Sequence, residues 1–368
     1  MKSPGNVQGL VAIDCEGPLT KNDNALELSS HFIPDGERLF TQLSRYDDIL
    51  ADMVKRPGYR AGNTLKLICP FLRAFGVKNQ DVLDFSSKHI LIMSGADSLL
   101  KWMDRTGRGF IISTSYNPYI QALCDIVGFP FQNTYSTKLD LDVLDPSEEE
   151  CRKVREMADR ILSLPALEWG SDVNGVEALP GDVKGAFLRM DEMMTHELEM
   201  SYLGGYLKNV EPVGGEEKAK AVRKSCEKTG QDLSHVIYIG DSITDVEAFQ
   251  LVRENGGMTV AFNANRYAVA VAESACLSNH SDILAILCQV FWEKGRQGIQ
   301  ALIEGWQMGE SHIKRLISGL LLADALLKKE KKHRSSLQWI TEENRASLIS
   351  QSEAFRGQVR GEEIGRLG

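Results

Sequence analysis

The sequence predicts an α/β fold, a doubly wound parallel sheet with helical cap insertions and a helical C-terminal tail. Three observations lead there. Short apolar runs stop abruptly at polar residues, helical patterns lie between them, and some gaps between runs far exceed a simple crossover.

The apolar runs are 9–13, 109–112, 236–239 and Met258–Phe262. Each is apolar at nearly every position, as expected of a strand covered on both faces. Helical periodicity covers Ala96–Thr106, 118–127, Glu216–Thr229 and 245–255. Alternation of this kind winds through right-handed crossovers.

About 95 residues separate the first two runs and more than 120 the second and third. A crossover unit needs only about 30, so two insertions are expected. The core is then 1–20, 91–145 and 209–290. A first helical cap insertion spans 21–90 and is broken by Pro57-Gly58. A second spans 146–208, where the helical stretches Glu148–Leu162 and 183–203 are joined by the Gly/Pro-containing 170–181. A helical C-terminal extension occupies 291–368. Within it, 316–327 reads as an apolar-rich helix, 328–334 as a solvated basic run and 357–368 as disordered.

Of 368 residues, 43% are hydrophobic and 25% charged, the balance of a soluble globular protein. The 51 acidic and 42 basic residues give a net charge of -9, which argues against a nucleic-acid partner. An enzyme of anionic esters with this charge needs a cation at its site. No apolar run reaches the roughly 18 residues of a membrane span, and the N-terminus lacks a signal-peptide core, so a cytoplasmic location is expected. The 7 cysteines are scattered without a C-x-x-C pair, which fits reduced thiols. His31, His89, His196, His235, His280, His312 and His333 show no ligand spacing. Met190, Met193, Met194 and Met200 follow a helical pattern suited to packing, with Met193 and Met194 also placed to line a pocket if this insertion is a cap.

Chemistry-bearing residues gather at the ends of the predicted strands. Asp14 follows the first run, where open α/β sheets bind ligands, and Glu16 lies two residues on, before Gly17. One carboxylate can attack while the other moves a proton; alternatively Asp14 caps the following turn. After the third run, Gly240-Asp241-Ser242-Ile243-Thr244-Asp245 sets two acids four apart, a pattern suited to a hard cation, although Asp245 could also cap the next helix. Ser113 and Thr114 end the second run, where hydroxyl and backbone N–H groups can hold phosphate oxygens. Lys218 opens the helix before the third strand and can neutralise charge on Asp14 and a phosphoryl group, with Lys220 and Lys224 as rivals.

In order, Asp-x-Glu-Gly, Ser, Lys and Gly-Asp-x-x-x-Asp resemble the four signature motifs of the haloacid-dehalogenase superfamily over about 1–20, 90–145 and 210–290. The resemblance implies a Mg²⁺-dependent phosphatase or phosphotransferase acting on a small phosphate ester. Asp14 would be nucleophile and metal ligand, and Glu16 would be acid/base and offer its backbone carbonyl to the metal. Asp241 would be a direct ligand and Asp245 a water-mediated one. Ser113, Thr114 and Lys218 would bind the phosphoryl group. Two positions depart from the pattern, Glu16 where Asp is usual and Pro18 where Thr is common. Glu at that position, with 112–116 and 127–130, is similar to the phosphoserine phosphatase and homoserine phosphotransferase branch. Overall length and the second insertion look more like the archaeal-type energy-converting hydrogenase A subunit R.

A second reading is a non-catalytic accessory or scaffold protein, associating through the insertions or the apolar stretch 313–327, for example with a hydrogenase complex or with its own copies. Other branches fit less well. A dehalogenase does not require Asp241 and Asp245, and a P-type pump needs membrane helices. A phosphonatase needs a Schiff-base lysine in the first insertion, and nothing marks out Lys21, Lys55 or Lys66.

Overall fold

The apolar runs become strands because their backbones pair and both their faces are covered. In the computed structural model, which describes residues 9–361 apart from 57, 58, 60, 61, 171, 172 and 333, they belong to one seven-stranded sheet. The strands are β1 (Leu10–Ile13), β2 (Gly109–Tyr116), β3 (Thr134–Thr137), β4 (Val236–Gly240), β5 (Met258–Phe262), β6 (Ser274–Leu277) and β7 (Ser336–Trp339). Their order is β3-β2-β1-β4-β5-β6-β7. All neighbours run parallel except β7, which pairs antiparallel with β6.

The sheet divides two apolar layers, and β1 shows how. Val11 and Ile13 join Leu99, Met103, Ile120 and Ile283 on one side. Leu10 and Ala12 join Val222, Ala248, Phe249 and Val252 on the other. Every position of β1 is therefore buried, which is why the run shows no alternation. The strands missing from the sequence reading are shorter or more polar. Thr134–Thr137 and Ser336–Trp339 are the two edges and are only partly covered, so their composition carries little apolar signal.

Helices with strong local stop signals fall on their expected bounds. Ala96–Thr106 and Glu216–Thr229 end at Gly107 and Gly230, both left-handed. Glu148–Leu162 starts on a capping box of Ser147 and Glu150. Four expectations need correction. The helix placed at 245–255 is Val246–Glu254 behind a short 3₁₀ turn, Ile243–Asp245. The stretch 183–203 is an α-helix, Gly181–Glu192, running into a π-helical turn, Met193–Leu198. The apolar stretch 313–327 is split into Glu310–Ile317 and Ala323–Glu330, because Gly319 and Leu322 take positive φ between them. Residues 357–360, expected to be disordered, close the helix Arg345–Arg360.

The basic run is also more than a solvated face, since Lys329 pairs with the buried Asp282 and Arg334 donates to the Trp306 carbonyl. Pro57-Gly58, His333 and residues 362–368 lie outside the described residues.

The two insertions share one apolar core. Leu28, Leu43, Ile68 and Phe71 of the first pack with Val154, Ile161, Phe187 and Met190 of the second. Met190, Met193 and Met194 are buried in this cluster, as the packing reading expected, whereas Met200 is exposed. Phe71 is fully buried there, so Phe71→Ala should lower the unfolding free energy by about 3–5 kcal/mol. Urea denaturation followed by circular dichroism checks this; a loss below about 1 kcal/mol would mean the shared core is loosely packed.

Candidate active site

Adjacent parallel strands release their C-terminal ends at the same edge, and β1 and β4 are adjacent. Asp14 therefore emerges beside Asp241, and the Asp14 N–H extends the ladder by donating to the Ile239 carbonyl at 2.8 Å. Asp14, Asp241 and Asp245 are all buried, and one carboxylate oxygen of each lies within 4.8 Å of the others.

Lys218 ties this group together. It lies in the first turn of Glu216–Thr229 and its side chain is wholly buried. Nζ donates to Asp14 Oδ2 at 2.6 Å and to Asp245 Oδ1 at 2.7 Å. Lys220 and Lys224 are exposed, which separates Lys218 from its sequence rivals. The Tyr238 hydroxyl donates to the same Asp245 oxygen at 2.7 Å. Asp245 Oδ2 accepts the backbone N–H groups of Asp241 and Ser242, each at 3.0 Å. Asp245 thus holds the loop that carries Asp241, and its side chain makes no cap bond to the helix that follows. Gly240 is required there, since a Cβ would run into the Asp245 carboxylate.

The loop after β1 is equally constrained. Gly17 has φ +100°, and a Cβ on it would collide with the Asp241 carboxylate. Half-buried Glu16 accepts the Asn24 N–H at 2.8 Å through Oε1, so the first insertion orients its carboxyl. The Pro18 carbonyl accepts the Ser281 hydroxyl at 2.6 Å, anchoring the turn. Ser113 is buried beside the site, with its hydroxyl donating to the Ser115 hydroxyl at 3.1 Å. The Thr114 hydroxyl donates to the Val213 carbonyl at 3.1 Å, so the part of Thr114 left for a ligand is its backbone.

Of these groups, Asp14, Glu16, Ser113, Thr114 and Asp241 line one cleft. Phe40, Asp47 and Thr64 of the first insertion form its far wall, and no described residue of 146–208 lines it. The second insertion buttresses the first through the shared core. Sequence reasoning missed Arg356 and Arg360, which reach the cleft from the C-terminal helix and pair with Asp241 Oδ2. Their spacing of four, on one helix face, was the available signal.

Burial governs the electrostatics. It pushes the Asp14 carboxyl up to about 7, with Lys218 opposing and Asp245 and Asp241 adding to the rise. Burial, then the Asp23 charge, raises Glu16 well above the usual carboxyl range, against the pull of Arg360. Burial works against the Lys218 ammonium, but the Asp14 and Asp245 carboxylates outweigh it and hold the lysine above its ordinary value. The directions together favour a charged lysine, an Asp14 that titrates near neutral pH and a Glu16 carboxyl more reluctant to ionise than usual.

A hard divalent cation fits this donor set. Asp14 and Asp241 offer carboxylate oxygens on one side of the cleft, and Asp245 is committed to orienting them. Only Oδ2 of Asp241 is taken by the arginines, which leaves Oδ1 for a cation.

No family model and no curated protein matches this sequence. Among solved structures, gene product AF1437 from Archaeoglobus fulgidus aligns over 98% of this chain and 99% of its own length, at 27% identity and a TM-score of 0.76. A phosphoserine phosphatase in apo form covers 72% of this chain and 91% of its own, at 12% identity and a TM-score of 0.42. A phosphoserine phosphohydrolase-like protein from Francisella tularensis covers 75% and 98%, at 14% identity and a TM-score of 0.41. The likeness to AF1437 is of whole architecture, both insertions and the C-terminal segment included.

Proposed function

We propose that this protein is a Mg²⁺-dependent phosphomonoester phosphatase or phosphotransferase of the haloacid-dehalogenase type, working through a phospho-aspartate on Asp14. The observation that carries the reading is the Lys218 ammonium bound to both Asp14 and Asp245, where Asp14, Asp241 and Ser113 line one cleft.

Asp14 Oδ attacks phosphorus in line, forming an acyl phosphate as the ester P–O bond breaks. Glu16, whose carboxyl burial raises well above its ordinary range, gives its proton to the departing alkoxide. The resulting carboxylate then takes a proton from water or an acceptor hydroxyl. That oxygen attacks the acyl phosphate, the Asp14–phosphorus bond breaks, and the Asp14 carboxylate is restored. Lys218 keeps Asp14 oriented and balances charge on the phosphoryl oxygens. Asp14, Asp241 and the Glu16 backbone carbonyl would hold Mg²⁺, which when bound supplies Lewis-acid neutralisation of the phosphoryl oxygens. The first insertion, over the cleft, excludes bulk water. The longer acid at 16 is accommodated because Asn24 holds one of its oxygens and leaves the other for proton transfer.

The alternative, a non-catalytic accessory protein, drew on the Glu16 and Pro18 departures, the two insertions and the apolar stretch 313–327. Ile313, Ile317 and Leu326 are buried in the main core, so that stretch does not offer them as a docking surface. The hydrogenase-linked resemblance concerns gene context and adds no chemistry at this site. A chain that turns over no member of a phosphomonoester panel with Mg²⁺ would favour the accessory reading.

Two outcomes are expected from kinetics on such a panel. Asp14→Asn should lose about 1,000-fold or more in kcat, and Glu16→Gln about 100-fold; unchanged turnover in Asp14→Asn removes the nucleophile assignment. Because Asp14 must be ionised to attack and its carboxyl is raised to about 7, activity at low Mg²⁺ should climb as pH rises through about 7. That limb should move to lower pH as Mg²⁺ is increased, since a nearby cation favours the carboxylate. A flat profile between pH 5 and 8 (a range of about 3 units) contradicts it.

A further inference from the structure

The C-terminal helix Arg345–Arg360 carries a stripe four residues apart, Leu348, Ser352, Arg356 and Arg360, and every member is buried. Leu348 packs with Ala268 and Val269 beside the sheet. The Ser352 hydroxyl donates to the Ala264 carbonyl at 2.6 Å. These contacts seat the helix so that its last turns enter the cleft.

There Arg356 Nη1 pairs with Asp241 Oδ2 and donates to the Asp241 carbonyl at 3.2 Å. Arg360 Nη1 reaches the same Oδ2 at 3.1 Å. Its Nε donates to the Lys21 carbonyl at 3.2 Å and its Nη2 to the Asn22 carbonyl. One carboxylate oxygen thus carries two buried guanidinium groups. Both guanidinium groups therefore sit on the carboxylate that a cation at this edge would have to share. A dication sharing Asp241 meets the like charge of these two guanidinium groups at short range in a poorly solvated site. A phosphate anion arriving with it offsets that repulsion.

We propose that Arg356 and Arg360 make divalent-cation binding at Asp241 conditional on a phosphoryl anion. Their charge opposes the metal when it comes alone and attracts the anion, so metal and phosphate bind together and each weakly without the other. Linkage makes the effect reciprocal. The inference rests on the phosphoryl-transfer reading and adds two positioning residues and a binding order to it.

The test is calorimetric titration of Mg²⁺ into the full chain, with and without inorganic phosphate. Wild type, the Arg356→Gln/Arg360→Gln double variant and the corresponding double Lys variant are compared, with melting curves to confirm folding. In wild type, phosphate should tighten Mg²⁺ binding by about ten-fold or more. Without phosphate, the Gln variant should bind Mg²⁺ about ten-fold tighter than wild type and lose most of the response to phosphate, while the Lys variant keeps wild-type behaviour. The variants separate the arginines' share from direct contact between metal and phosphate. A folded Gln variant with unchanged or weaker Mg²⁺ affinity overturns the proposal. Should that variant not fold, a wild type whose Mg²⁺ affinity ignores phosphate overturns it instead. If that wild type still hydrolyses phosphomonoesters, the inference falls and the phosphatase reading stands; no turnover and no Mg²⁺ binding under any condition defeats both.

Discussion

The Lys218 ammonium, buried between Asp14 and Asp245, is the interaction on which the rest of the site depends. A buried ammonium without partners is strongly disfavoured, so the charge is tolerable only where both carboxylates meet it. That meeting needs β1 beside β4 in register, and it needs Glu216–Thr229 to begin where the 213–215 loop places it. The Gly215 N–H bond to the Thr244 carbonyl joins that helix start to the loop of Asp245. Tyr238, Asp245 and the backbone of Asp241 and Ser242 complete a network in which each polar group has a partner. Networks of this kind specify one geometry because every alternative strands a charge.

Around that fixed centre the structure separates covering from support. The first insertion supplies the cleft's far wall, and the second holds the first in place through a common core. The C-terminal segment adds β7 to the sheet edge and then runs back to the strand ends that carry Asp14 and Asp241, delivering Arg356 and Arg360 to Asp241. A chain with a net charge of -9 thereby gathers three buried cations where the proposed chemistry handles anions, without a basic surface.

Much of the fold was legible because burial on both faces leaves an unbroken apolar run, as in β1, β4 and β5. The edge strands were not, since a strand covered on one side needs no such composition, and β7 is recruited from beyond position 330 by its pairing with β6 and the burial of Leu337. Breaks in the 313–327 stretch escaped notice because Leu322 adopts positive φ, which composition does not announce. At the site, Asp14, Lys218, Asp241 and Asp245 could be picked out because each follows or precedes a recognisable element. Asn24, Tyr238 and the two arginines could not. Asn24 acts through its backbone, Tyr238 reads as one more residue of a buried strand, and an i, i+4 arginine pair is commonplace on exposed helices.

The sequence alone therefore determined the sheet's central strands, the presence of two insertions and the acids at the strand ends, because local periodicity and short-range spacing encode them. Only the tertiary structure decided which lysine enters the site, which insertion covers it and how Asp245 spends both its oxygens. It alone brought the end of the chain back to Asp241, across a separation of 115 residues. Such contacts are set by how whole elements pack against one another, and no local stretch of residues carries that information.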